Sequence, residues 1–193
     1  MDSTYLTNPL VFLVQVLLGF YTIIVLLRFL LQLFRADFYN PLSQFIVKVT
    51  TPVLKPLRSI IPGYGGLDLS SLVVAWLVKT LELFLVLWIS GKGLLIAYPM
   101  LMAIPGLVEL IINIFLFAIL ITVIISWISP GGYNPAVNLL YSLTDPLMKP
   151  ARKLISPIGG IDLSPMLVMI GLAVLKMLLI PLIQQMMLMI IQG

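Results

Sequence analysis

The sequence has no cysteine and no histidine, and only 9% of its 193 residues are charged. Without cysteine there is no disulfide, no thiolate metal site and no covalent thioether cofactor. Without histidine the commonest general base and metal ligand is missing as well. Charge is so scarce, with 11 basic and 7 acidic residues, that a cytosolic globular enzyme is excluded, because such a surface takes about 25% charged residues. An intrinsically disordered chain is excluded for the opposite reason: apolar residues make up 61% of the chain and the mean hydropathy is +1.18. The expectation is an all-α integral membrane protein with no enzymatic activity, no cofactor, no metal and no nucleic-acid partner.

A stretch of about 20 apolar residues crosses the hydrocarbon core, and four stretches qualify: 10–34, 67–90, 104–128 and 163–191. The first is interrupted by Gln15, Arg28 and Gln32, and the second carries Lys79 and Glu82. The third has Glu109 and Asn113 near its start, and the fourth has Lys176 and Pro181. The first run is too long, and its flank too poor in basic residues, for a secretory signal, so it is expected to remain as a span. Residues 91–103 are apolar but punctuated by Pro and Gly and too short to span; they are expected on the outer surface or dipping shallowly into it. Seven of the 11 basic residues follow the first and third spans: Arg35, Lys48, Lys55, Arg58, Lys149, Arg152 and Lys153. The positive-inside rule places those two connections in the cytoplasm and both termini outside.

The sequence is also internally repeated. An offset of 94 residues aligns residues 39–70 with 133–164 without a gap, and 14 of the 32 pairs are identical. The shared positions include Asn40-Pro41 and Asn134-Pro135, Pro52 and Pro146, and Lys55-Pro56 and Lys149-Pro150. They continue through Arg58 and Arg152, Gly65-Gly66 and Gly159-Gly160, and Asp68 and Asp162. The fold expected is two tandem parallel repeats, 1–98 and 99–193, each a span, an amphipathic cytoplasmic segment (41–50 and 135–144) and a second span. In the first segment Leu42, Phe45, Ile46 and Val49 fall at i, i+3, i+4 and i+7, a stripe suited to the membrane interface. The prolines are expected to break this helix, the Gly-Gly pair to allow a tight reversal, and Asp68 and Asp162 to cap the following spans.

The doubled pattern T-x-P-x-x-K-P-x-R…G-G-[LI]-D-L-S resembles the YggT/YlmG family of small membrane proteins over essentially the whole chain. The resemblance implies a multi-pass protein of the bacterial inner membrane. It also implies an association with osmotic-stress tolerance, cell division or the assembly of membrane complexes. It brings no reaction and no residue-level mechanism.

Two candidate sites stand out. Lys55, Arg58, Lys149, Arg152 and Lys153 either bind anionic lipids or membrane-protein partners, self-association included, or merely enforce topology. Lys79, Glu82 and Lys176 form an intramembrane charge set, and the offset of 94 places Glu82 and Lys176 at equivalent positions. They are read as an ion pair between halves, with an ion or proton path as the rival. Arg28, near the end of its span, is read as snorkelling to the surface. Six of the 10 methionines lie in the last span and are read as core packing.

Overall fold

The computed structural model describes residues 4–61, 63, 66–93, 95–128, 134–155 and 162–192. Among these the chain forms six helices: α1 Thr4–Leu33, α2 Pro41–Arg58, α3 Leu69–Ile89, α4 Ala97–Ile128, α5 Pro135–Leu154 and α6 Ser164–Gln192. Four of them, α1, α3, α4 and α6, are long and apolar enough to cross a membrane. The order long, short, long therefore occurs twice.

Helix α4 is longer than expected, because it takes in residues 97–103, which were placed on the outer surface. Pro99 falls in its first turn, where no backbone N–H is needed. Pro99, Ala103 and Pro105 are buried, and the Trp76 indole of α3 donates to the Met100 carbonyl at 2.9 Å. Burial of this face against α3 outweighs the helix-breaking tendency of its prolines. The 32 residues of α4 span about 48 Å at 1.5 Å per residue, well past the core thickness of roughly 30 Å.

The expected amphipathic segments are also longer, since neither is broken at its prolines. Helix α2 continues through Pro52 and Pro56, and α5 through Pro146 and Pro150. Each proline pair is spaced by four residues and lies on an exposed face. The carbonyls left without a helical N–H partner turn outward, where water or headgroups can satisfy them. Meanwhile the opposite face of α2 buries Ser43, Thr50 and Leu54. Of the apolar stripe, Leu42 and Phe45 are 46% and 56% exposed, whereas Ile46 packs against the protein.

Local caps set where these helices begin. Asn40 Oδ1 accepts from Leu42 N at 3.0 Å, and Asn134 Oδ1 from Ala136 N at 2.9 Å, with Pro41 and Pro135 pre-set for the first turn. Gly66 has φ +85°, a left-handed conformation that favours glycine. The expected reversals at Gly65 and at Gly159-Gly160 lie outside the described residues.

Helix α1 packs along α3, α4 along α6, and α3 joins α4 between them. Helix α2 covers α1 and α3, while α5 covers α4 and α6 and also reaches α1 and α2. One core joins Val25, Leu26, Leu54, Val74, Ala75 and Leu107. A second joins Phe29, Leu30, Phe115, Ala118 and Leu143, drawing α5 against α1. Helix α6 touches neither α1 nor α3 among the described residues. Core packing does not hold four of its six methionines: Met166, Met177, Met186 and Met189 are 52–73% exposed, whereas Met169 and Met187 are half-buried.

The two short helices meet at one hydrogen bond, from Asn40 Nδ2 to the Pro135 carbonyl at 2.6 Å. Asn40→Ala is expected to lose this bond together with the α2 cap, at a cost of about 1–2 kcal/mol. Asn40→Ser restores the cap but not the reach to Pro135, so its thermal midpoint in detergent should fall between the two.

Candidate functional site

A buried arginine organises the first half of the molecule. Arg28, on α1, is 5% exposed, although it lies within a helix long and apolar enough to span a membrane. Its Nη1 donates to Thr50 Oγ1 at 2.5 Å, to the Val47 carbonyl at 3.1 Å and to Thr51 Oγ1 at 3.2 Å, all on α2. Its Nε lies 3.9 Å from Asp68 Oδ2. Arg28 is therefore held inside the protein instead of snorkelling past it. Thr50 can act as acceptor because its own hydroxyl donates to the Ile46 carbonyl at 2.7 Å.

Asp68 closes the same node from α3. As the N-cap it accepts from Ser71 N at 3.3 Å and from Ser71 Oγ at 2.6 Å, and Arg58 Nη2 donates to its Oδ2. Burial opposes the charged form of Asp68, but the hydrogen bonds from Ser71 and Arg58 outweigh it and hold the carboxyl below the usual aspartate range. One arginine from α1, one from α2 and one carboxylate from the start of α3 thus tie three helices together.

The second half carries a looser version. Asp162 accepts from Ser164 N at 2.9 Å and from Arg152 Nε at 3.1 Å. Slight burial opposes ionisation of Asp162, and these donors again prevail, holding the carboxyl below the usual range. Asp145 pairs with Lys149 at 3.1 Å and lies 3.9 Å from Arg152. Beside this group opens a cavity of about 800 Å³. Its polar lining includes Thr122, Tyr141, Thr144, Arg152 and Asp162, with Trp127 at its edge.

The five basic residues proposed from the sequence therefore do different things. Arg58 and Arg152 are committed to the two capping aspartates. Lys149, 70% exposed, leans on Asp145, and Lys55 and Lys153 are exposed. Arg28 was missed as a site residue. The signal was available, since an ionisable side chain inside an apolar span is by default a site with a partner, and two of its partners, Thr50 and Asp68, recur at the offset of 94.

The intramembrane charge set is split. Lys79 Nζ meets Glu82 Oε1 at 2.7 Å on the same helix. Lys176 Nζ instead meets Glu109 Oε1 at 2.8 Å and Asn113 Oδ1 at 3.0 Å, both on α4. The expected Glu82–Lys176 pair does not form, because α3 and α6 are not in contact. Each charge finds its partner within its own half: Glu82, 4% exposed, one turn back, and Lys176 on the neighbouring α4. Glu82 also lies against Gly19, where an added Cβ would stand 3.8 Å from Oε2, and the Lys79 stem against Gly106, where it would stand 3.1 Å from Cε.

A depressed carboxyl contributes stability that is present above its unfolded pKa, about 3.9, and is lost as pH falls through its folded value. The thermal midpoint in detergent should therefore hold from pH 8 to about 5 and fall at pH 4 and below. Asp68→Asn should flatten part of that acid slope while lowering the midpoint at pH 7. Arg28→Leu, which leaves buried acceptors unpaired, should cost about 2–4 kcal/mol at pH 7. A neutral effect would mean that the guanidinium is not the tie between α1 and α2.

Comparison with known proteins agrees with this architecture. The family model described as CCB3/YggT matches residues 7–89 and 101–183. A protein of Pseudomonas aeruginosa is 46% identical over 91% of this chain and 90% of its own length. The YggT protein of Escherichia coli K12 is 38% identical over 88% of each chain, and a protein of Vibrio alginolyticus is 39% identical over 86% and 90%. No solved structure matches the chain.

Proposed function

The chain belongs to the CCB3/YggT family, and on that premise we propose that it is a non-enzymatic scaffold, assembly or stress-tolerance factor of the bacterial inner membrane. It is built of two tandem repeats whose basic connections face the cytoplasm. The observation that carries this reading is the surface made by α2 and α5 at one end of the molecule. Lys55, Lys149 and Lys153 are exposed on these helices, and α2 also carries the outward apolar residues Leu42 and Phe45. Lysines of this kind attract an anionic leaflet or an acidic partner surface, each by roughly 1 kcal/mol, while the apolar stripe seats the helix in the interface. Arg58 and Arg152 serve this surface indirectly, by holding α2 and α5 to the capping aspartates.

The alternative, a small channel or transporter subunit for ion balance, draws on one observation. Glu82 Oε2, Thr80 Oγ1 and Tyr21 Oη are buried without a hydrogen-bond partner among the described residues. Buried polar atoms of this kind at membrane depth are costly and often functional. Ion flux in reconstituted liposomes that disappears in Glu82→Gln would favour this alternative.

Crosslinking in cells followed by partner identification tests the scaffold reading. The triple variant Lys55→Ala, Lys149→Ala, Lys153→Ala should keep the wild-type thermal midpoint, because its side chains are exposed, and should lose the crosslinked partner. Retention of an unchanged partner set by the folded triple variant would overturn the role of this surface.

A further inference from the structure

The offset of 94 residues places Thr122 where the first half has Arg28. It also maps the partners of Arg28 onto the lining of the second-half cavity. Val47 corresponds to Tyr141, Thr50 to Thr144, Arg58 to Arg152 and Asp68 to Asp162, and all four counterparts line the cavity together with Thr122. The cavity is thus the place that a guanidinium fills in the first half. There the packing is closed, with Leu26, Leu54 and Ala75 at 0% exposure.

The chemistry around the space has changed in a consistent direction. In the first half Asp68 serves two cations, Arg28 and Arg58. In the second half Asp162 pairs with Arg152 alone among the described residues. Asp145 stands at the position of Thr51, which in the first half accepts from Arg28. Pro165 stands at the position of Ser71, so the bond that Ser71 Oγ gives Asp68 has no counterpart at that position. At the position of Arg28 the second half has no cation, and the acceptors Thr144 Oγ1 and the Asp162 carboxylate remain in place.

Size and surroundings narrow the occupant. A volume of about 800 Å³ far exceeds a bare ammonium or guanidinium group and suits a molecule of drug-like size. Arg152 supplies a cation beside the carboxylate, matched to a phosphate. Met166, Met169 and Ile170 carry an apolar wall along α6, and Met166 and Ile170 are 62% and 50% exposed. Trp127 and Tyr141, also in the lining, are residue types that settle at headgroup level.

We infer that the second half binds one phospholipid with a primary-amine headgroup. Its ammonium takes the place that Arg28 fills in the first half, donating to Asp162 and Thr144. Its phosphate meets Arg152, and its chains lie along the wall formed by α6. This site is separate from the exposed lysines of the α2/α5 surface and does not depend on their binding anything.

The test is native mass spectrometry of the full chain in detergent, with equal concentrations of dioleoyl phosphatidylethanolamine, phosphatidylcholine or phosphatidylglycerol. Only the first donates N–H from a cationic headgroup. The expected result is a single retained phosphatidylethanolamine, favoured over phosphatidylcholine by at least about tenfold, the scale of an unpaired buried acceptor. Thr122→Arg rebuilds the internal plug and should abolish this adduct while the lipid-free protein melts no lower than wild type. If Thr122→Arg does not fold, Thr144→Val keeps the volume and removes one acceptor, and should reduce the preference for phosphatidylethanolamine. Equal retention of all three lipids would overturn the inference, as would preference for phosphatidylglycerol or an unchanged preference in the folded variants. Displacement by free ethanolammonium at the concentration of the lipid would also overturn it, since the chains would then contribute nothing. Any of these failures leaves the crosslinking result for the lysine surface unaffected.

Discussion

A guanidinium taken out of solvent on α1 is the constraint around which the first half is arranged. Burying an unpaired charge costs several kcal/mol, so Arg28 has to be met by acceptors, and these come from two other helices. Thr50, Thr51 and the Val47 carbonyl of α2 supply them from one side, and Asp68 from the start of α3 on the other. The short helix is thereby turned with Ser43, Thr50 and Leu54 inward and Leu42 and Phe45 outward, while Ile46 packs against the protein.

Burial of one face explains why α2 and α5 tolerate two prolines each. A proline costs about 3 kcal/mol or more in a helix interior because it removes a hydrogen bond and crowds a carbonyl. Here the affected carbonyls lie on the exposed face, while the buried face is tied to its neighbours. The basic side chains that follow, Arg58 and Arg152, then reach the carboxylates capping α3 and α6. Proline spacing, arginine and aspartate act as one device, which accounts for their recurrence at one offset.

The two halves, alike in sequence over 39–70 and 133–164, are not packed symmetrically. A closed two-fold would repeat the α3–α4 contact between α6 and α1, and that contact is not formed among the described residues. The halves pack head to tail, which leaves α5 wedged against α1 and α6 largely open to the surroundings. Once the environments differed, equivalent positions diverged. Arg28 corresponds to Thr122, Glu82 to Lys176, and Gly19, which lies against Glu82, to Asn113, which meets Lys176. Each of these charges meets its ion-pair partner within its own half, so the cohesion between halves rests on apolar packing and on the Asn40–Pro135 and Trp76–Met100 bonds.

The helical class, the four apolar spans, the two short helices with their Asn-Pro starts and the capping aspartates were all legible in the sequence. These depend on composition, periodicity and residues within a few positions of one another. The pairing of Glu82 with Lys176 was misread because equivalence in a repeat says nothing about distance. The start of α4 at Ala97, ahead of the expected residue 104, was not legible because the burial of Pro99 and Ala103 is a long-range effect. The sequence by itself determined which segments are apolar enough to leave water, and which residues recur. Only the tertiary structure decided which way each helix turns, that Arg28 is enclosed and that its counterpart position opens on a cavity. A buried charge selects its partners by position in space, and position is set by how the helices pack.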